Sequence, residues 1–328
     1  MKYEKPLISI IIITYNSSKY VVETLESAKA QTYQNIELII SDDSSTDNTI
    51  EICKNWIEIN TERFVKTELI TVKKNSGISS NCNRGLYATK GDWVKIIAGD
   101  DILLENCITD FTNYCIKNNN IKIIFGRIYY LQNKTLKEDE VNIFYSLPQN
   151  EQFIKILKGS GVPAQACFFN RITLIDLGGF DEKYKFIEDA PLWVKASEKG
   201  IYFHFINKFV AKYRLHDNNI SGLNRSSNFI NYKFYADQKK IILNEIIPRL
   251  KFQNLYIEIF HLYNIIIINK IIILLGNKRN IISMGLSLFI LKNSYSRMVR
   301  MNKKIKSSLI NQYFAKFKRQ FCRNPIVL

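Results

Sequence analysis

Four continuous runs of β-branched and aliphatic residues, each followed by a polar turn, constrain the fold of this 328-residue chain most strongly. Runs of this kind are typical of strands buried on both faces of a sheet. We predict strands at residues 7–16, 36–41, 68–74 and 92–101, with helices between them at 19–31, 46–59 and 78–90. Because strands that alternate with helices form βαβ units, the pattern predicts an α/β fold with a mostly parallel sheet.

The pattern is less regular after residue 120. It predicts further strands at 121–131 and 163–170, a helix at 188–200, and then two strands within 201–216. From about residue 226 onward the spacing is helical. We therefore expect one catalytic domain at 1–225 and a basic, helical C-terminal extension at 226–328.

Most of the net positive charge lies near the C-terminal end of the sequence. The chain has 46 Lys and Arg against 30 Asp and Glu, a formal charge of +16. Residues 251–328 hold 14 of the basic residues and a single acid, Glu258, whereas residues 1–250 are nearly neutral. Such a basic segment predicts an anionic partner. We do not expect nucleic acid as that partner, because the sequence has no recognisable RNA- or DNA-binding motif.

Two apolar stretches, 261–276 and 281–291, precede the most basic residues. The first is interrupted by Asn264, Asn269 and Lys270, and falls short of the roughly 20 apolar residues that a spanning helix needs. Apolar helices beside a polybasic segment favour an interfacial anchor on anionic lipid. The alternative is a pair of helices that pack on the catalytic body and leave a basic face in solvent.

The cysteines and the N-terminal residues bear on the cellular compartment. The N-terminal residues lack the apolar region and cleavage site of a signal peptide. Six cysteines are scattered without a CxxC pair, which predicts reduced thiols rather than disulfides or a zinc site: Cys53, Cys82, Cys107, Cys115, Cys167 and Cys322. We expect a cytoplasmic protein that associates peripherally with the inner face of the cell membrane.

Pairs of acids follow the second and fourth predicted strands. Asp100 and Asp101 come directly after Gly99, at the end where ligands bind in parallel sheets. Carboxylate oxygens are ligands that Mg²⁺ and Mn²⁺ prefer, and such a cation stabilises a diphosphate leaving group. The alternative is that both acids cap the helix that follows.

Asp42 and Asp43 end the second strand. A carboxylate there is able to accept a hydrogen bond from a nucleobase N–H or a ribose hydroxyl. The alternative is an Asx turn that leads into the next helix. The sequence contains neither GxGxxG nor GxxxxGK[ST], which excludes the dinucleotide fingerprint and the P-loop as explanations of the sheet.

Two further groups are candidates for chemistry. Glu188 and Asp189 stand where a helix is predicted to begin, so they either complement the helix dipole or supply a general base for an attacking hydroxyl. His216, near Arg214, is suited to a metal or a phosphate, or alternatively to a structural hydrogen bond.

Six segments occur in this order: ISIIIITYN, IELIISDDSSTDNT, KNSGISSNCNRGL, DWVKIIAGDD, LGGFDE and FIEDAPLW. Together they resemble the family 2 inverting glycosyltransferases with the GT-A fold, and within that family the bacterial enzymes that build surface polysaccharide. The resemblance spans about residues 6–221. It implies a mostly parallel nucleotide-binding sheet flanked by helices, an inverting hexosyltransferase-type activity, and Mn²⁺ or Mg²⁺ as cofactor. The implied partners are a nucleotide-diphosphate sugar, with a UDP-sugar expected, and a saccharide or lipid-linked saccharide acceptor.

The resemblance also implies a role for each residue that matches a family motif. The nucleotide and donor sugar would contact Thr14, Tyr15, Asn16, Asp42, Asp43, Asn75, Gly77, Asn83, Arg84 and Asp100. Asp101 and His216 would ligate the metal, and Asp189, beside Glu188, would be the catalytic base of a single displacement at the anomeric carbon. The segment Gly99-Asp100-Asp101 departs from the commoner family pattern because it lacks an earlier acid.

Two other functions remain open on the sequence. A sugar-phosphate nucleotidyltransferase would also use a nucleotide-binding α/β domain and a metal. It predicts a Gly-rich, Arg-containing loop after the first strand, whereas this chain has TYNSSKY. A non-catalytic membrane-associated module is favoured by the basic extension, but the presence of Asp101 and Asp189 argues against it.

Overall fold

The computed structural model describes residues 5–286, except 160–161, 217–218, 220–229, 279, 281 and 284. The basic residues of 292–328, Cys322 and most of the apolar stretch 281–291 therefore lie outside the described residues.

Nine strands of the described chain form one sheet, in the order β3-β2-β1-β4-β8-β6-β9-β5, with β7 paired to β6. The strands are β1 (Ile8–Thr14), β2 (Ile36–Asp42), β3 (Lys66–Thr71), β4 (Trp93–Ala98), β5 (Ile102–Leu103), β6 (Ile123–Gln132), β7 (Thr135–Glu138), β8 (Cys167–Asn170) and β9 (Phe203–Arg214). The pairs β1–β2, β1–β4, β2–β3 and β6–β9 are parallel, whereas β8 pairs antiparallel with both β4 and β6.

Helices follow the parallel strands and pack against the sheet. The α-helices are α1 (Val21–Lys29), α2 (Thr49–Asn60), α3 (Ile78–Ala88), α4 (Cys107–Lys117), α5 (Gln149–Leu157), α6 (Arg171–Asp176), α7 (Asp189–Glu198), α8 (Tyr232–Ile241), α9 (Ile247–Phe252) and α10 (Tyr256–Leu274). A π-helical turn, Ile242–Ile246, joins α8 to α9. The predicted α/β architecture is confirmed.

The register of the central strands brings three strand ends to one edge of the sheet. Thr14 of β1 is paired with Asp42 of β2, and Ile13 of β1 is paired with Ala98 of β4. β2 ends at Asp42 and is followed by Asp43, and β4 is followed after one residue by Asp100 and Asp101. β1 is followed by the turn at Tyr15 and Asn16. Parallel pairing with β1 between β2 and β4 therefore places both acidic pairs on either side of β1.

The prediction of two strands within 201–216 is wrong, because β9 runs unbroken from Phe203 to Arg214. Its pairing with β6 shifts register after Phe125, which pairs with Phe205, since Arg127 pairs with Phe209. A β-bulge inserts extra residues into one strand without ending it. The bulge includes the polar residues Asn207 and Lys208, and in the sequence such a polar pair between two apolar runs is typical of a turn.

The described part of the C-terminal extension packs on the α/β body. Ile247, Leu250, Ile259 and Ile266 belong to the same hydrophobic core as the strands of the sheet. This is the packed arrangement that the sequence left open as one alternative for the extension. The predicted boundary near residue 225 falls outside the described residues.

Candidate functional site

Asp42 closes the turn that follows β2. Its side chain is fully buried, and Oδ2 accepts hydrogen bonds from the hydroxyls of Thr14 at 2.7 Å and Ser45 at 2.6 Å. Oδ1 accepts the backbone N–H of Ser45 at 2.8 Å. The Asx-type turn that the sequence offered as an alternative is thus present. It fixes the ends of β1 and β2 against each other.

Asp43 organises the loop that precedes α3. Its carboxylate accepts the backbone N–H groups of Ser76 at 3.0 Å and Gly77 at 2.8 Å, and the Ser76 hydroxyl at 2.6 Å. Nη2 of Arg84 lies 3.1 Å from Oδ1 of Asp43. With only 2% of its surface exposed, this carboxylate is compensated almost entirely by protein donors.

Gly77 allows a second loop to close over the start of α3. Its φ of +99° and ψ of 167° lie in a region that essentially only glycine occupies. A Cβ at this position would lie 2.8 Å from Cβ of Lys185 and 2.9 Å from its carbonyl oxygen. The next residue, Ile78, donates its N–H to that same carbonyl at 2.7 Å. Asn75, just before this contact, is exposed.

Arg84 and Asn83 project from α3 in different directions. Nη1 of Arg84 donates to Oδ1 of Asn81 at 2.9 Å, on the side of the helix that faces Asp43. Asn83 is buried and holds the loop before α7: its Nδ2 donates to the carbonyl of Phe180 and its Oδ1 accepts the N–H of Phe180, both at 2.8 Å. The structure therefore places Arg84 with the predicted nucleotide residues, and Asn83 apart from them.

Asn81 belongs to this cluster, although the sequence analysis did not select it. Its Nδ2 donates to the carbonyl of Thr14 at 3.1 Å, and its Oδ1 accepts the hydroxyl of Ser41 at 2.6 Å. The sequence offered one signal for its selection: Asn81 lies three residues before Arg84, which places both side chains on the same face of a helix.

Tyr15 and Asn16 form the turn after β1. Asn16 adopts a left-handed conformation with φ of 50°, and its Oδ1 accepts the N–H of Thr46 at 2.8 Å. The Tyr15 side chain is 48% exposed. An exposed aromatic ring in this turn offers a face on which a nucleobase can stack.

Asp101 carries a buried oxygen without a partner. The side chain is fully buried, and Oδ1 accepts the backbone N–H of Arg214 at 2.8 Å, whereas Oδ2 has no hydrogen-bond partner among the residues that the structure describes. Burial, and next the charge of Asp100, raise the pKa of Asp101 well above its usual range. An unpaired buried carboxylate oxygen is costly unless a cation or a proton compensates it.

Asp100 pairs with the predicted histidine. Nε2 of His216 lies 2.8 Å from Oδ2 of Asp100, and Nε of Arg214 donates to the backbone carbonyl of Asp100 at 2.8 Å. Within the described ranges, no three His, Cys, Asp or Glu side chains are grouped so that they could hold a metal. Mg²⁺ is commonly held by one or two carboxylates together with substrate phosphates, so the pair Asp100 and Asp101 suits a cation of that kind.

Glu188 and Asp189 lie at the start of α7, as predicted. Oδ1 of Asp189 accepts the N–H of Ala190 at 2.7 Å, a contact of the first helical turn. Loss of solvation raises the pKa of both carboxyl groups, and the charge of Asp189 raises that of Glu188 further. Burial, and then the charges of Glu188 and Asp189, raise the pKa of the Cys82 thiol, which places the pair beside α3.

The contacts above join the turns after β1, β2 and β4 at one edge of the sheet, whereas Asn83 is directed to the loop before α7. Gly99 packs on Thr14, since a Cβ at Gly99 would lie 2.8 Å from Cγ2 of Thr14, and this joins the end of β4 to that of β1. The contact between Gly77 and Lys185 joins the Asp43 loop to the segment that leads into Asp189. Asp101 offers a buried carboxylate oxygen that a cation could compensate, and Glu188 and Asp189 are carboxyl groups with raised pKa values. Such a set of groups is suited to acid–base chemistry on an anionic substrate.

Comparisons with known proteins identify the relatives of this chain. The family model described as Glycosyl transferase family 2 matches residues 9–176. An uncharacterized glycosyltransferase of Rickettsia typhi is 29% identical over 220 residues, which cover 65% of this chain and 65% of that protein, slightly less than two thirds of its length. The Escherichia coli enzyme WfaP, a UDP-Glc:alpha-D-GlcNAc-diphosphoundecaprenol beta-1,3-glucosyltransferase, is 29% identical over 66% of this chain and 80% of its own length.

Solved structures show the same fold. S. aureus TarS 1-349 superposes with a TM-score of 0.58 at 17% identity, covering 88% of this chain and 80% of that chain. TarS 1-349 in complex with UDP-GlcNAc gives a TM-score of 0.55 at 20% identity, covering 79% and 70% respectively. The expected GT-A fold is confirmed.

Proposed function

The chain belongs to glycosyl transferase family 2, and from this premise we propose that it transfers a sugar from a nucleotide-diphosphate donor to a hydroxyl of a saccharide or lipid-linked saccharide. We expect a UDP-sugar as the donor and a role in the synthesis of cell-surface polysaccharide. The names of two relatives support this choice: WfaP uses UDP-Glc and a diphosphoundecaprenol acceptor, and TarS was solved with UDP-GlcNAc.

The single observation that carries the proposal is the unpaired, buried Oδ2 of Asp101 at the end of β4. We propose that Asp101 holds Mg²⁺ or Mn²⁺, with Asp100 and its partner His216 beside it. When bound, the cation offsets the negative charge that develops on the diphosphate leaving group. The other residues of the edge hold the nucleotide, with Tyr15 as the stacking face and Asn16 and Arg84 nearby.

We propose that Asp189 is the general base. It accepts the proton of the acceptor hydroxyl while the hydroxyl oxygen attacks the anomeric carbon and the bond to the nucleotide diphosphate breaks on the opposite face. A single displacement of this kind inverts the configuration, so an α-linked donor gives a β-linked product. One carboxylate suffices because the leaving group is already a stabilised anion and needs no general acid.

We also propose that the protein binds the cytoplasmic membrane surface peripherally through α10. Within the described residues, this helix of 19 residues is long and apolar enough to cross a membrane. One face, however, is covered by the protein: Glu258 pairs with Lys158 of the body at 3.2 Å, and the hydroxyl of Tyr235 in α8 donates to the carbonyl of Ile266 at 3.0 Å.

The other face of α10 is exposed. We call this face the exposed stripe; it comprises the exposed large hydrophobic side chains of the helix, namely Tyr256, Ile257, Phe260, Tyr263, Ile267, Ile271 and Leu274. A helix that packs on one side and exposes apolar side chains on the other suits the plane of a membrane interface. The basic residues of 292–328 add attraction to anionic lipid.

A donor screen tests the proposed function. The protein is incubated with UDP-, GDP- and dTDP-sugars, with and without Mn²⁺ or Mg²⁺, and thermal shift and release of the nucleoside diphosphate are measured. We expect cation-dependent stabilisation and slow UDP release with at least one UDP-sugar. Absence of binding and release with every donor would contradict the proposal, and release of pyrophosphate from a nucleoside triphosphate would indicate a nucleotidyltransferase instead.

A further inference from the structure

The segment 183–187, which we call the base loop because it leads into Glu188 and Asp189, is fastened to the C-terminal helices. Tyr184 is fully buried and packs with Ile187 and with Ile241 of α8. Its hydroxyl donates to Oε1 of Glu245 at 2.7 Å. The base loop therefore meets the extension through both an apolar and a polar contact.

A second hydrogen bond joins the same elements. The backbone N–H of Phe186 donates to Oδ2 of Asp237 at 2.8 Å, and Asp237 is 5% exposed. Because an N–H group inside a loop has no strand or helix partner, a buried carboxylate that accepts it fixes the loop backbone directly.

Glu245 lies in the π-helical turn between α8 and α9. Besides Tyr184, its carboxylate contacts Nζ of Lys183 at 2.9 Å and Nη1 of Arg249 at 3.0 Å. Burial acts to raise the pKa of Glu245, but hydrogen bonds from Lys183 and Tyr184 and the nearby positive charges outweigh it and lower the pKa. Glu245 is thus held as an anion, and π-helical turns of this kind occur frequently at functional sites.

The opposite side of the base loop is fixed by α3. The N–H of Ile78 donates to the carbonyl of Lys185 at 2.7 Å, and the hydroxyl of Ser79 donates to the carbonyl of Tyr184 at 2.5 Å. The loop is therefore held between the element that carries the nucleotide-side contacts and the C-terminal helices.

We propose that Tyr184 and Glu245 are positioning residues that set the place of Asp189, so that the C-terminal extension completes the catalytic site. This inference rests on the proposed function, in which Asp189 is the general base. The family model ends at residue 176 and includes none of these residues. Misplacement of a reacting group by about 1 Å can cost about 100-fold in rate. The hydrogen bond from Tyr184 to Glu245, which holds the loop before Asp189, is therefore expected to affect the rate.

Tyr184→Phe is the most direct test, because it removes only the hydroxyl and keeps the buried ring. With a UDP-sugar as probe and UDP release as the assay, we expect kcat to fall roughly 10-fold while the donor KM changes less than about twofold. The matched control is Glu198→Gln, which removes the other carboxylate partner of Arg249, at 2.8 Å, without contacting the base loop. We expect the control to keep the wild-type kcat.

A double-mutant cycle separates positioning from general destabilisation. Glu245→Ala should reduce kcat at least as much as Tyr184→Phe, because it also removes the contact with Lys183 of the base loop. The double variant should lose little more than Glu245→Ala alone, because the Tyr184 hydroxyl acts through Glu245. Glu245→Gln keeps an acceptor for the Tyr184 hydroxyl and should recover most of the rate. Additive losses, or a normal kcat in Tyr184→Phe, would overturn the inference.

Amide hydrogen exchange provides a readout that does not depend on activity. Exchange of residues 183–190 should accelerate in Tyr184→Phe and stay unchanged in Glu198→Gln. Unchanged exchange in Tyr184→Phe would show that the hydroxyl does not hold the loop. If the wild-type protein releases no UDP from any donor, the proposed function fails, and the exchange experiment still decides whether the hydroxyl of Tyr184 holds the loop.

Discussion

The backbone N–H of Arg214, at the end of β9, donates to Oδ1 of Asp101, at the end of β4, across 2.8 Å. These residues are separated by 113 positions in the chain. The contact fixes one oxygen of the buried carboxylate and leaves Oδ2 for another partner. The late strand β9 therefore completes the site at which we propose that the cation binds.

Asp101→Asn should abolish the cation-dependent part of donor binding. The amide keeps an oxygen for the N–H of Arg214 but removes the negative charge that attracts the cation. We expect UDP to bind with the same affinity with and without Mn²⁺ in this variant, as measured by isothermal titration calorimetry. Asp176→Asn, at an exposed position at the end of α6, serves as the control and should keep the Mn²⁺ effect. A full Mn²⁺ effect in Asp101→Asn would contradict the proposed ligand.

Asp189→Asn should separate binding from turnover. The amide cannot accept the proton of the attacking hydroxyl, so kcat should fall by about 10²–10⁴-fold. Donor affinity should stay within about threefold of wild type, because Asp189 contacts the N–H of Ala190 rather than the nucleotide-side residues. Equal losses of affinity and kcat would instead indicate a binding or structural role.

The pH dependence of kcat should reflect the raised pKa of the pair Glu188 and Asp189. A general base works only when deprotonated, so kcat should rise with pH. The midpoint should lie above the usual pKa of an aspartate, about 4, because loss of solvation disfavours the charged form. Measurement of UDP release between about pH 5 and 9 tests this, and the midpoint belongs to the pair rather than to one residue.

Glu188→Gln is the companion variant for the measurement of kcat against pH. It removes the second carboxylate but keeps the burial that raises the pKa of Asp189, so the midpoint should stay close to that of wild type if Asp189 is the base. A pH-independent kcat in both proteins would indicate that a step other than proton transfer limits the rate.

Gly77→Ala should destabilise the protein and weaken donor binding. The backbone conformation is one that alanine adopts at a cost of about 1–3 kcal/mol, and the new Cβ would meet Lys185 at 2.8 Å. Gly200→Ala is the control, because Gly200 also has positive φ, but a Cβ added there would have no atom within 4 Å. Urea unfolding should show a larger loss of free energy of unfolding for Gly77→Ala, and equal losses would show that the contact with Lys185 is easily relieved.

Replacement of Phe260 and Ile267 by Glu should weaken membrane binding. These side chains are 69% and 52% exposed on the exposed stripe of α10, and a carboxylate there opposes both burial in an apolar phase and binding to anionic lipid. Flotation with vesicles of phosphatidylglycerol and phosphatidylcholine measures recovery, which should fall in the variant and, for wild type, in high salt.

Ile143→Glu is the control for the stripe, because Ile143 is 73% exposed but lies outside α10. It should float as wild type does. Recovery of wild type that is independent of salt, and unchanged in the α10 variant, would contradict membrane binding. An oligomer that dissociates in the variant would indicate that a second copy covers the stripe.

Local sequence pattern was sufficient to predict the N-terminal half of the fold. The apolar runs in β1 and β2 are long enough to require burial on both faces, and a chain buried in this way forms a parallel sheet with helical crossovers. The turn that Asp42 closes was likewise open to prediction, since its partner Ser45 is three residues away.

The roles of single residues within the site depended on contacts between distant segments. Asn83 and Arg84 are neighbours in sequence, yet the helix directs one to Phe180 and the other to Asp43. The continuity of β9 depended on its bulged pairing with β6, which no local pattern encodes.

The sequence by itself determined the class of the fold and which acids follow the ends of its strands, because strand burial and strand-end position follow from local composition. Only the tertiary structure decided that Arg214 contacts one oxygen of Asp101 and leaves the other, and that Glu245 holds Tyr184 of the base loop. Both contacts join residues more than 60 positions apart, and their geometry is fixed by the packing of whole elements rather than by the residues around them.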